Sequence, residues 1–513
     1  MDWNKRFFLL LAFVTVFRLV YLFVAPLDLA ADEAYYWDWS RQLDWGYFSK
    51  PPMVAWIIAL FSRTIGSTTA VVRIPAALLG SVSALALFLL ARRMYDSRTA
   101  FWAAAAAMAS PGASALGCIM TIDAPVLCFW SIALYMFWAG LERNDGSNEQ
   151  GTKNRPAVFP LLPRSWEWFG LAAAIGLGLL SKQVMGGFIV FMFMFAAVSK
   201  DDRRLLKSLR LYLFSLLGLA ALIPSVLWNA RHGWITLHHT AGHFERGPSD
   251  FIATMPEFIG GQILVISPLT WIFFVLLSAL LLFRPKSLDR RALYLLCFSF
   301  VPLLGVAALS LRQRIEPNWP AALYPAGMIL LAAWGCGNIS AGSKLDFWRP
   351  YFKKGVIVGV VMALLTYALP FWAEAAPGPW AGRLVARLQG WHELGVEAGS
   401  AMGGVPRPQS TFILTFNRQL ASELAFYVPG QSRVYNWRVP DSVPGSQYDI
   451  WHGPRIGWDA LIILSPTDSW GLAAVSGYFQ KVERLDSASL KGGNRSYSLY
   501  LGTSLKAWPD SMQ

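Results

Sequence analysis

The feature that most limits this chain is a succession of apolar runs, several of them near the roughly 20 residues that a helix needs to cross a bilayer. Over 513 residues the hydrophobic share is 55% and the mean hydropathy is +0.41, where a soluble domain averages about 45–50% apolar. Inside hydrocarbon every backbone polar group must be satisfied within the protein, so such runs fold as helices. The runs predict spans at about 7–26, 71–93, 99–116, 125–142, 166–181, 184–199, 207–228, 263–283, 292–311, 319–339 and 356–373, about eleven in all. Residues 53–66 are too short and interrupted for a clear span and read as an interfacial helix.

Charge sets the orientation. Lys5–Arg6, Arg92–Arg93, the 200–204 KDDRR cluster, RPKSLDRR after span eight and Lys353–Lys354 mark inner loops. The N-terminus therefore lies inside and the loop after the first span outside. The insert 143–165 reads as cytoplasmic. The net charge of +13 does not call for nucleic acid. From Glu374 onward 12 basic and 11 acidic residues nearly cancel, and the excess elsewhere sits largely in short loops. Cys118, Cys128, Cys297 and Cys336 lie in or beside apolar runs, with neither a disulfide framework nor zinc spacing. The N-terminal run lacks a small-residue cleavage site and reads as a retained span.

Residues 374–513 change character. Short β-like runs at 411–416, 433–437, 460–465 and 496–502 alternate with a helical stretch near 417–427. This predicts a small α/β domain at 376–513 after a membrane domain at 1–375. At about 140 residues it is long enough for its own core.

The outer loops carry the chemistry. Loop one, residues 30–52, holds Asp32 and Glu33, then Tyr35, Tyr36, Trp37, Trp39, Trp45, Tyr47 and Phe48, then Lys50 before two prolines. Asp123 stands in the loop before span four. The loop after span seven holds Arg231, His232, His238, His239, His243, Glu245 and Arg246. Arg312, Arg314 and Glu316 follow span nine. Carboxylates and cations on one membrane face suit transfer from a lipid phosphate. Cations neutralise the phosphate as its bond to the sugar breaks, and a carboxylate takes the proton of the attacking hydroxyl.

The stretches DEAYYWDWSRQLDWGYFSKPP, TIDAP, GHFERG and PNWPAALYP resemble the bacterial branch of the protein O-mannosyltransferase-like superfamily. That branch includes lipid A aminoarabinose and galacturonic acid transferases. The resemblance spans about residues 1–375. It implies a GT-C type membrane glycosyltransferase in the bacterial inner membrane, with its site and C-terminal domain on the periplasmic side. The implied partners are a polyprenyl-phosphate sugar donor, an envelope lipid, glycan or protein acceptor, and membrane lipids. By position, Asp32 and Asp123 match the family's two site aspartates, Lys50 a phosphate-binding lysine, and His243 and Arg246 a His-x-x-Arg pair. Arg246 would bind lipid phosphate, while His243 is the residue near which a divalent metal would sit. Aminoarabinose transferases place a metal-sharing glutamate before the lysine, and Ser49 stands there instead. No cofactor is therefore assigned.

Plainer readings stand beside these. Asp32 suits the cap of a helix starting at Glu33, and Glu33 suits first-turn electrostatics. Asp123 suits the cap of span four. The loop-one aromatics suit interfacial anchoring, and Lys50 suits snorkelling to headgroups. The histidines fit a solvated loop. Arg312 and Arg314 divide evenly between phosphate contact and plain loop charge. Lys182 suits a phosphate contact or, more simply, a breaker between two helices. A lipid or glycan transporter is the rival class, but transporters tend to place ionisable residues at the midplane in repeated halves. No repeat is evident here, and the charges gather in loops on one side.

Overall fold

The computed structural model describes residues 2–149, 166–242, 251–284, 288–375, 385–440, 442–468, 470–492 and 495–509. It is a polytopic helical protein carrying a small sheet region near its C-terminus. Among the described residues six helices are long and apolar enough to cross a membrane singly: Trp3–Val24, Thr69–Met94, Asp123–Arg143, Arg290–Leu309, Trp319–Cys336 and Tyr351–Ala375. Two further pairs meet at bends, Leu209–Ala220 with Ile223–Arg231 at 44° and Thr254–Ile266 with Pro268–Leu282 at 112°. Shorter apolar helices run over Met53–Ile65, Trp166–Ser181 and Gln183–Val198.

Three expected spans are thus broken, the run at 207–228 by the 44° bend between Leu209–Ala220 and Ile223–Arg231. The run at 99–116 becomes Ser97–Met108 and Pro111–Leu116. The first piece has 12 residues, about 18 Å of helix. The second starts on its own cap: the Ser110 side chain accepts from the Ala113 N–H, and Pro111 follows where its missing N–H costs nothing. The run at 263–283 turns at Ser267, which has φ +97° and is fully buried. Pro268 cannot extend the preceding helix, so the chain starts a new one there.

The chain divides into two compact units. The first comprises Met1–Phe23, Arg73–Leu227 and Ala241–Tyr367. Its core is aromatic, with Trp130, Trp334, Tyr294, Phe137, Phe188 and Phe195 fully buried. The Tyr294 hydroxyl donates to the Leu134 carbonyl at 2.8 Å. Helices Trp166–Ser181 and Leu209–Ala220 approach closely over small residues. A Cβ on Gly176 would lie 2.8 Å from the Ala221 Cβ, and one on Gly218 would lie 2.8 Å from the Ile175 Cγ2. Arg290 clasps Asp202 through two hydrogen bonds, at 2.8 and 2.6 Å.

The second unit comprises Val24–Val72, Trp228–Thr240 and Ala368–Gln513. Its sheet has the order β2-β1-β3-β5-β4, with β1 Thr411–Thr415, β2 Val434–Asn436, β3 Asp459–Leu464, β4 Phe479–Gly492 and β5 Arg495–Leu505. Strands β2, β1 and β3 are parallel, while β5 and β4 complete the sheet antiparallel. Every residue of β1 and β3 is buried, as near-continuous apolar strands require. Strand β4 went unread because Lys481, Glu483 and Arg484 mask its alternation; they sit on an edge strand, where charge blocks further pairing.

Loop one is not a loop of interfacial anchors. Helix Ala31–Ser40 is buried from Glu33 to Ser40. Tyr35, Tyr36, Trp37, Trp39, Tyr47 and Phe48 are core residues of the second unit, and Trp45 stays exposed. Trp39 stacks on Tyr47 with centroids 4.5 Å apart. The Tyr35 hydroxyl accepts from the Gln447 N–H at 2.5 Å, and the Tyr427 hydroxyl accepts from the Leu29 N–H at 2.6 Å. Ser422 Oγ donates to the Ala31 carbonyl at 3.2 Å. The hydroxyls of Tyr35 and Tyr47 find partners inside the protein, so the loop folds as core.

Candidate active site

In the second unit the first carboxylate sits on a helix start. Helix Ala31–Ser40 begins at Ala31 with Ala30 as its N-cap, one residue before Asp32. Asp32 is therefore in the first turn and is not the cap. Glu33 does that work: its Oε2 accepts from the Ala30 N–H at 2.9 Å. Glu33 is fully buried.

Asp32 points the other way, and its side chain is 54% exposed. Its Oδ1 accepts from Arg418 Nη1 at 3.0 Å. Among the described residues its Oδ2 has no hydrogen-bond partner. Arg418 opens helix Arg418–Tyr427, which follows β1, with Asn417 as its cap. The guanidinium also lies over the Tyr35 ring, 4.9 Å from the centroid. Burial works against the Arg418 charge, and the Asp32 carboxylate more than restores it, so its pKa is raised. Asp32 and Arg418 line a cleft of about 530 Å³ with Ala30, Arg387, Trp391, Asn417, Ser465 and Tyr497.

Asp123, in the first unit, is the first residue of helix Asp123–Glu149 and is buried. The Thr121 hydroxyl accepts its N–H at 3.2 Å. The Asp123 carboxylate faces cations and amides instead of capping: Oδ1 accepts from Lys182 Nζ at 2.7 Å, and Oδ2 from Asn318 Nδ2 at 2.8 Å. Lys182 is thus more than a helix breaker. It stands in extended backbone between Trp166–Ser181 and the short 3₁₀ turn Gln183–Met185, where the missing helical bond frees it to reach a carboxylate. The same Asp123 helix, through Ala124, Leu127 and Ser131, borders an apolar cavity of about 120 Å³ in this unit. Arg18 borders it too, donating to the Tyr367 hydroxyl and the Ala113 carbonyl.

The remaining expected residues divide. Lys50 is half-buried, and its carbonyl accepts from the Tyr47 N–H at 3.2 Å. Arg314 pairs with Glu257 at 2.8 Å, both well exposed, which makes a weak surface contact. Arg312 is exposed. His243 and Arg246 lie outside the described residues. Among the described residues no group of three or more His, Cys, Asp or Glu is arranged to hold a metal ion. Arg418 and Asn318 were missed. Nothing local marks Arg418, since its partner lies 386 residues away. For Lys182, an ionisable side chain alone in an apolar run was a usable signal.

A family model described as dolichyl-phosphate-mannose-protein mannosyltransferase matches residues 49–148 and 159–228. The lipid A galacturonosyltransferase RgtD of Rhizobium johnstonii is 27% identical over 452 residues, which is 85% of this chain and 85% of that protein. The undecaprenyl phosphate-alpha-4-amino-4-deoxy-L-arabinose arabinosyl transferase of Erwinia tasmaniensis is 28% identical over 379 residues, 69% of this chain and 64% of that protein. The crystal structure of ArnT from Cupriavidus metallidurans in the apo state has a TM-score of 0.60 at 15% identity, covering 98% of each chain. The same protein bound to undecaprenyl phosphate gives 0.59 at 17% identity, covering 96% of this chain and 97% of that one. These two structures share the fold.

Proposed function

We propose that this chain, a GT-C membrane glycosyltransferase of the protein O-mannosyltransferase-like superfamily, moves one sugar from a polyprenyl-phosphate donor to a hydroxyl of lipid A or a related envelope glycan, with inversion. It does so at the periplasmic face of the bacterial inner membrane. The observation that carries this reading is the Asp32 carboxylate: over half exposed in an open cleft, one oxygen held by Arg418 and the other unengaged among the described residues.

Each part of the reaction has a residue. Asp32 Oδ2 takes the proton of the acceptor hydroxyl as its oxygen attacks the anomeric carbon. The carbon–oxygen bond to phosphate breaks, and the electron pair leaves with polyprenyl phosphate. A phosphate leaving group needs no separate acid. Lys50 and Arg246 neutralise the departing charge, with Arg312 and Arg314 as further contacts to the donor. Asp123, fixed by Lys182 and Asn318, orients a sugar hydroxyl. Glu33 acts through the helix start it caps.

Mass spectrometry of envelope lipids and glycans, with and without the protein, tests the reading. A mass difference of one sugar is expected, and Asp32→Asn should abolish it with expression intact. Normal modification by the Asn variant would remove Asp32 from the reaction.

A further inference from the structure

Arg418 reaches the Asp32 cleft from a part of the chain, beyond residue 375, to which no resemblance assigned a role. Its guanidinium spends one nitrogen on the carboxylate, Nη1 to Oδ1 at 3.0 Å. Among the described residues Asp32 is its only hydrogen-bond partner, and the side chain is 37% exposed. A planar fork with several donors and one of them committed leaves the rest for a second oxygen anion. The surroundings agree. Arg387, exposed, lines the same cleft, as does Gln419. Among the described lining residues Arg418 and Arg387 are the cations and Asp32 is the carboxylate, while Asp468 stands behind the lining, accepting from Asn417 and Ser465. The ring of Tyr35 lies beneath the Arg418 guanidinium, 4.9 Å from its carbon, an attractive contact for a cation.

We infer that Arg418 is a positioning residue that binds a phosphate group of the acceptor while holding Asp32, so that the acceptor's hydroxyl arrives at the unengaged Asp32 oxygen. The inference rests on the proposed transferase reading and deepens it, since it selects acceptors bearing a phosphate ester. Arg387 supplies a second, looser contact to the same group. The donor's phosphate is the other source of such an anion, and the two are separable.

The test uses the full-length protein in detergent, with phosphorylated lipid A and the same lipid after phosphatase treatment as acceptors. Wild-type protein should bind and modify the phosphorylated lipid better. Arg418→Gln should raise the KM for the phosphorylated acceptor about 10-fold or more, the effect expected for losing a charged hydrogen bond. Turnover should fall alike with both lipids, because Asp32 loses its partner, but the KM for the dephosphorylated lipid and for the donor should stay unchanged, and Arg418→Lys should restore part of the KM loss. Arg387→Gln should shift the same KM in the same direction by less. An equal rise in KM for both acceptors, or a rise in donor KM alone, would overturn the inference. Equilibrium binding of the two lipids keeps the matter separate from catalysis. If no sugar is transferred but Arg418→Gln erases the preference for the phosphorylated lipid, the transferase reading fails and the phosphate site stands. Equal binding of both lipids by the wild type rejects the site.

Discussion

Removing the Lys182 ammonium should expose how much the first unit depends on one buried ion pair. The Asp123 side chain is 5% exposed and that of Lys182 17%, with Nζ and Oδ1 2.7 Å apart. In Lys182→Met the carboxylate keeps only Asn318 at 2.8 Å and a long Thr121 contact at 3.4 Å. Breaking a buried pair by deleting one partner costs about 3–5 kcal/mol, because the other charge stays buried. The surviving amide contact places this case toward the lower end, about 3 kcal/mol. Adding Asp123→Asn removes the stranded charge, so the double variant should recover most of that loss. Thermal unfolding of the purified protein, followed by tryptophan fluorescence, reads the four corners of the cycle. A double variant no more stable than Lys182→Met would refute the pairing argument. Sugar transfer gives a second reading: the double variant should be stable and still inactive, which separates Asp123's chemical role from its part in folding.

Further outcomes follow from other contacts. Arg314→Ala should cost less than about 1 kcal/mol, the scale of an exposed pair; a KM rise for the donor would assign Arg314 to phosphate, and an unchanged one to surface charge. Lys50→Ala should weaken binding of polyprenyl phosphate, measured by equilibrium titration, while leaving the melting temperature nearly unchanged; unaltered affinity would contradict its role. Burial raises the pKa of Asp38 despite Arg41 and the Tyr448 hydroxyl. A raised carboxyl means that the folded state binds the proton more tightly than the unfolded chain. Stability from this group is therefore present at acid pH and lost as pH rises through the folded value. Asp38→Asn should flatten, but not abolish, the fall in melting temperature as pH rises above the ordinary carboxyl range, because Asp28 and Asp449 are raised in the same direction. Parallel slopes for variant and wild type would reject the assignment.

Membrane helices were legible because hydrophobic length is a direct physical requirement, and the four strands rich in β-branched and aromatic residues stood out for the same kind of reason. Breaks were harder. Pro268 signalled an end to one helix, but the 112° turn depends on Ser267 taking a positive φ inside a packed interior. The aromatic run after Asp32 was misread because a ring with a polar tip suits a bilayer edge and a protein core equally; only the partners, Gln447 for Tyr35 and Asp44 for Tyr47, decide. Asp32 drew notice as a carboxylate outside the membrane. Arg418 did not, because an arginine opening a helix in an α/β region is ordinary until its distant neighbour is known.

The burial of helix Ala31–Ser40 bears on how relatives can be recombined. Grafting residues 376–513 from a similar protein onto this scaffold would part Tyr35 from Gln447, Ala31 from Ser422 and Asp32 from Arg418 in one cut. A hybrid meant to exchange acceptor preference should instead carry Val24–Val72 and Trp228–Thr240 along with the C-terminal segment, as one inherited block.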